Sequence, residues 1–167
     1  MDLYIFRHGI AVEPGTAGYT NDFERPLTPE GEQKLRRIIR AMRNLELSFD
    51  LILSSPYIRA RETAEAVAAG FALQKKLQFR DSLGVEGNPR ELIAELRGLN
   101  PAPGSLLLVG HEPYLSTLVS LLLSGAAKPC VTLKKAGLCR MTVTSIRAGR
   151  CANLEWLLTP RQMLLMT

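Results

Sequence analysis

The chain predicts an α/β fold: three layers, a mainly parallel sheet flanked by helices, and a C-terminal β-hairpin. Three observations carry this. Short apolar runs alternate with amphipathic helical patterns up to about residue 125, the order expected of strand–helix units that build a parallel sheet covered on both faces. Helix starts are marked by cap-plus-proline groups, Thr28-Pro29-Glu30 and Asn88-Pro89-Arg90-Glu91. Near the end, strict alternation around a glycine turn replaces the helical period. A length of 167 residues fits a single domain spanning 1–167.

Leu3–Phe6 reads as a buried strand ending at Arg7-His8-Gly9. The stretch 11–26 is rich in Gly, Pro, Thr and Asn and has no period, so it reads as a loop. From Thr28 a helix follows, with Leu35, Ile38, Ile39, Met42 and Leu45 on one face and Lys34, Arg36, Arg37, Arg40 and Arg43 largely in water. Leu51–Leu53 is a second strand, after which Ser55-Pro56 is expected to cap an alanine-rich helix to about Gly70. A third strand fits Leu77–Phe79, followed by a loop over Asp81–Asn88. The Asn88 helix carries Leu92, Ile93, Leu96 and Leu99 and stops at Gly98 and Pro101. Leu106–Val109 is the fourth strand, and Pro113 opens a helix with Leu115, Leu118, Val119 and Leu122 inward. Met141–Ile146 and Asn153–Trp156 alternate on either side of Ala148-Gly149-Arg150, which predicts an antiparallel hairpin.

The charge balance narrows the ligands. A net charge of +5 and a pI near 9.4 favour anions. The basic residues come only as dispersed pairs such as Arg36-Arg37 and Lys134-Lys135, with no tract or aromatic interleaving, so a nucleic-acid groove is not expected. Cys130, Cys139 and Cys151 are odd in number and lack C-x-x-C spacing, which argues against a disulfide framework or a zinc site. The apolar stretch 115–127 is short and broken by serines and a threonine, so no membrane span is expected. Only four consecutive apolar residues precede Arg7, unlike a signal peptide, and the cytoplasm is the expected compartment.

The two histidines carry the chemistry. Each follows an apolar run: LYIF before Arg7-His8-Gly9, and LLLV before Gly110-His111-Glu112-Pro113. Ligands of open α/β sheets bind beyond the carboxyl ends of parallel strands, so both residues belong at one site despite their separation in sequence. Imidazole is a nucleophile and a general acid/base near neutral pH. Arg59, in the first turn of a helix after a strand, adds a second guanidinium where free N–H groups already favour an anion. Two arginines beside two histidines point to phosphoryl transfer through a histidine. Arg61, by contrast, has Glu65 at i+4 and reads as half of a surface ion pair.

Arg7-His8-Gly9, Ser54-Ser55-Pro56-x-x-Arg59-Ala60-x-x-Thr63 and Gly110-His111-Glu112-Pro113 together resemble the histidine phosphatase superfamily, which has a phosphoglycerate-mutase-like fold. The short chain and Arg25-Pro26-Leu27-Thr28-Pro29-Glu30-Gly31 are most similar to its SixA-type phosphohistidine phosphatase branch. The resemblance covers roughly residues 1–125. It implies that His8 is the nucleophile, that Arg7 and Arg59 bind the transferring phosphoryl group, and that His111 donates to that group in the transition state. No metal or other cofactor is implied, because the arginines supply the positive charge.

Many phosphomonoesterases of the superfamily place a glutamate between the mid-chain arginine and the second histidine to protonate the leaving oxygen. Here that interval offers Asp81 and Glu86 in a different context, Asp81-Ser82-Leu83-Gly84-Val85-Glu86-Gly87, with Glu86 the candidate acid. The expected activity is therefore hydrolysis of phosphohistidine in a phosphorelay protein. The alternatives are a small-molecule phosphomonoesterase or mutase acting on a phosphate ester, and a non-catalytic anion-binding regulatory module.

Overall fold

Six strands pair in one sheet in the computed structural model, which describes residues 1–167. In chain order they are β1 (Asp2–Arg7), β2 (Leu51–Ser54), β3 (Leu77–Phe79), β4 (Ser105–Gly110), β5 (Leu138–Val143) and β6 (Ala152–Leu158). The sheet order is β3-β2-β4-β1-β5-β6. Pairing is parallel from β3 through β1 and antiparallel from β1 through β6. The helices are α1 (Pro29–Asn44), α2 (Ile58–Gly70), α3 (Pro89–Arg97), α4 (Tyr114–Ser124) and α5 (Pro160–Leu164). None is long and apolar enough to cross a membrane.

The two-residue period of the central strands builds both cores at once. Leu3, Ile5, Leu106 and Leu108 point to one face and meet α3 and α4. Tyr4, Phe6, Leu107 and Val109 point to the other and meet α1, α2 and α5. Both faces of β1 and β4 are thus covered, which is why these strands read as unbroken apolar runs. The amphipathic face of α1 seats Leu35, Ile38, Ile39 and Met42 as expected, with Leu45 half-buried at its C-cap.

Local signals fix the helix starts. Thr28 Oγ1 accepts from Gly31 N–H at 3.0 Å, and Asn88 Oδ1 accepts from Arg90 N–H at 2.9 Å. Three expectations need correction. Ser55 does not cap α2: the helix begins at Ile58 after an uncapped Tyr57, and the Ser55 hydroxyl faces His111 instead. The hairpin strands stop at Val143 and resume at Ala152, so Ser145 and Ile146 lie in the connection. Cys151 N–H there is taken by Leu122 C=O of α4, which draws the chain away from a tight turn. Finally, α5 was not anticipated, although Thr159-Pro160-Arg161-Gln162 forms a full capping box.

Candidate active site

Register places the two histidines. In the parallel β1–β4 pair, Arg7 lies opposite Gly110, so the next residue of each strand is a histidine. His8 N–H donates to Gly110 C=O at 3.1 Å, and the two imidazole centroids lie 5.2 Å apart. On the other side of β4, Ser54 lies opposite Val109, and α2 rises from that strand end carrying Arg59. Three neighbouring strand ends thus supply Arg7, His8, Arg59 and His111 to one pocket of about 200 Å³. Glu112, Glu13, Arg25 and Lys135 are also in its wall.

His8 is 6% exposed, and its two partners fix its tautomer. Nδ1 lies 2.7 Å from Gly9 C=O, which can only accept, so Nδ1 carries the hydrogen. Nε2 lies 3.3 Å from Arg59 Nε–H, which can only donate, so Nε2 presents its lone pair. Burial, then the neighbouring His111, push the His8 pKa down to about 2. The ring is therefore neutral near pH 7, the state a nitrogen nucleophile requires.

His111 is 1% exposed, with Nε2 2.7 Å from Ser55 Oγ. Ser55 Oγ accepts from Tyr57 N–H at 3.3 Å and keeps both its own proton and a second lone pair, so it can donate to His111 Nε2, which puts the ring hydrogen on Nδ1, or accept from it. Nδ1 has no partner. Burial, then Arg59, lower this histidine's pKa to about 3.

The arginines are held from behind. Arg7 donates from Nη1 to Leu133 C=O at 2.9 Å, and its buried Nε–H has no partner. Arg59 is 3% exposed, and its Nη groups both donate to Asp22, one to the main-chain carbonyl at 2.7 Å and one to Oδ2 at 2.9 Å. Burial lowers the pKa of both arginines, opposed by Glu112 at Arg7 and by Asp22 at Arg59, and guanidinium stays charged regardless. Thr63 ties the halves together: its Oγ1 donates to Arg59 C=O at 2.6 Å and accepts Gly9 N–H at 3.0 Å.

Four of the residues singled out in the sequence therefore meet in one pocket. Glu86 does not join them: it is exposed and outside the pocket wall. Asp81 is also exposed. Arg61 pairs with Glu65 at 2.8 Å on the surface, as the i+4 spacing suggested. Asp22, Ser55, Thr63 and Leu133 act on the site through other residues. Ser55 and Thr63 stood within a recognised motif, whereas Asp22 and Leu133 lie in segments without period and carried no sequence signal.

Comparison with known proteins agrees with this geometry. The model of the histidine phosphatase superfamily (branch 1) matches residues 3–84. An uncharacterized protein of Picosynechococcus sp. is 36% identical over 98% of this chain and 99% of its own length. The phosphohistidine phosphatase SixA of Escherichia coli is 27% identical over 96% of this chain and 94% of its own. A solved structure of the protein histidine phosphatase SixA complexed with tungstate superposes with a TM-score of 0.83, at 25% identity, covering 96% of this chain and 98% of that one. The shared fold, the strand-end histidines and these relatives agree: the chain belongs to the histidine phosphatase superfamily.

Proposed function

We propose that this protein is a metal-independent phosphatase that acts on phosphohistidine displayed by another protein, through a phosphohistidine on its own His8. One observation carries the mechanism: His8 Nε2 presents a lone pair in a pocket walled by residues that carry three polar groups suited to an oxyanion. These are Arg59 Nε–H, Arg7 Nε–H and His111 Nδ1, and the last two have no partner in the protein. Buried polar atoms left without partners are costly, and both belong to residues that wall one pocket, which favours a ligand rich in oxygen acceptors.

His8 Nε2 attacks phosphorus in line with the substrate's P–N bond. As that bond breaks, the substrate's imidazole leaves neutral, its far nitrogen having taken a proton from solvent. The Gly9 carbonyl steadies the positive charge that grows on the His8 ring through Nδ1–H. Arg7, Arg59 and His111 hold the three equatorial oxygens, the main form of catalysis available to phosphoryl transfer. Water then attacks phosphorus, the P–Nε2 bond breaks, and phosphate leaves with the water oxygen.

The pocket carboxylates support phosphohistidine over an alkyl ester. Glu112 is committed to Ser116 and to Leu133 N–H, the latter at 2.9 Å. Glu13 pairs with Lys135 at 3.0 Å, and that hydrogen bond and charge hold its carboxyl below the ordinary range. Neither is a ready proton donor for an alkoxide, whereas imidazole needs none from the protein. Size points the same way. Small-molecule sites usually enclose roughly 300–1,000 Å³, whereas about 200 Å³ suits a phosphoryl group whose carrier stays outside. The relative named phosphohistidine phosphatase adds to this reading.

The test is a comparison of kcat/KM for a phosphohistidine protein, p-nitrophenyl phosphate and a panel of sugar phosphates. Preference for the phosphohistidine protein is expected. Strong turnover of a sugar phosphate with none on phosphohistidine would make the protein a small-molecule phosphomonoesterase.

A further inference from the structure

We propose that Asp22 is the positioning residue for Arg59, holding the far edge of its guanidinium so that the near edge stays aimed at phosphorus on His8. This rests on the roles of His8 and Arg59 proposed above. A guanidinium offers five N–H donors in a planar fork. In Arg59 the Nε–H points at His8 Nε2, and one hydrogen from each Nη goes to Asp22. Nε–H shares an edge with one of the two Nη hydrogens that remain. Once Nε2 is bonded to phosphorus its lone pair is gone, so Nε–H loses its acceptor where a phosphoryl oxygen arrives. The edge it shares with the Nη–H then grips two oxygens without moving the side chain.

A carboxylate so near an anionic substrate would repel it, and the structure offsets that charge. Arg25 donates from Nε to Asp22 Oδ1 at 2.8 Å, so one carboxylate lies between two guanidiniums, Arg25 and Arg59. Partial burial pushes the Asp22 pKa up, but the hydrogen bonds from Arg25 and Arg59 outweigh it and keep the carboxyl below its ordinary value. The turn that carries Asp22 is secured independently. Asn21 Oδ1 accepts Phe23 N–H at 3.0 Å, and the Phe23 ring packs on Tyr57 with centroids 4.8 Å apart. Asp22 can therefore be altered without releasing the turn.

The experiment measures orthovanadate affinity by calorimetry, and the Arg59 Nε–H resonance by NMR, in the parent, Asp22→Asn and Asp22→Ala. Asp22→Ala removes the carboxylate's bonds to Arg59 and to Arg25 and leaves Arg59 only the main-chain carbonyl, so vanadate binding should weaken by about tenfold, and less in Asp22→Asn, which keeps an acceptor. On phosphohistidine substrate, kcat should fall while KM changes little, and Asp22→Glu should restore part of the loss. The Arg59 Nε–H resonance should broaden or shift in Asp22→Ala, with the thermal midpoint unchanged. Vanadate affinity equal to or tighter than the parent's in both variants would overturn the proposal, the tighter result marking Asp22 as a competitor of phosphate. If the parent itself neither binds vanadate nor turns over phosphohistidine, the phosphatase reading fails. The inference about Asp22 is then decided by the NMR signal, and an Arg59 resonance identical in all three proteins overturns it.

Discussion

At the scale of single residues, neighbouring groups fix which nitrogen of His8 carries the hydrogen. Gly9 C=O fixes the His8 hydrogen on Nδ1, and Arg59 confirms the free lone pair on Nε2. His8→Ala removes the only group in that position and should lower turnover by about 10³-fold or more while leaving the fold intact. Arg59 and Arg61 give a sharper comparison, because they are two residues apart on one helix. Arg59 is buried against His8, whereas Arg61 is half exposed and paired with Glu65. Arg59→Ala should cost about 10²-fold or more in kcat/KM, on the order of a lost electrostatic donor, and Arg61→Ala should leave it unchanged. Equal, mild effects would mean that Arg59 is not a phosphoryl ligand. Sequence made these residues visible because strand-end position is a local property. The Asp22–Arg59 and Ser55–His111 contacts were not visible, because they join segments whose approach only the folded sheet decides.

The elements matter through their junctions with the site. The first turn of α1 presses on the loop after His8: a Cβ on Gly31 would lie 2.1 Å from the Ile10 carbonyl oxygen. That carbonyl also accepts Thr28 N–H at 2.9 Å, so the helix start and the loop after His8 share one peptide. On propensity alone, Gly31→Ala should stabilise a helix by up to about 1 kcal/mol. Here the methyl must displace backbone, so the variant should lose about 1–3 kcal/mol in urea unfolding and lose turnover with it. Stability at or above the parent's would show that the loop yields freely. The elements were legible where caps and periods are strong, as at Thr28 and Asn88. They were misread where a tertiary partner intervened: the Ser55 hydroxyl serves His111 rather than α2, and α4 takes the backbone of the hairpin connection.

For the molecule as a whole, burying two neutral histidines sets the response to acid. Their pKa values fall from an ordinary 6.5 to about 2 for His8 and about 3 for His111. Below pH 6.5 the unfolded chain binds two protons that the folded chain refuses, so stability must fall as pH falls and be indifferent to these groups above that pH. The slope is at most about 2.7 kcal/mol per pH unit between roughly pH 6 and pH 3. Urea midpoints at pH 7.5, 6, 5 and 4 should trace this decline, and His111→Asn should shrink it. Midpoints that stay level down to pH 4 would contradict the buried neutral state. At this scale the three-layer fold and the order of motifs were legible because both faces of the sheet are written as apolar runs. The mixed pairing beyond β1 was not, since nothing in Leu138–Val143 states which edge it joins. The most direct test of the central claim is to trap the intermediate. Brief reaction with labelled phosphohistidine protein, quenching in base and peptide mapping should find phosphate on His8, stable in alkali and lost in acid. Label on a serine or cysteine, or turnover with no label on His8 at any quench time, would contradict the account.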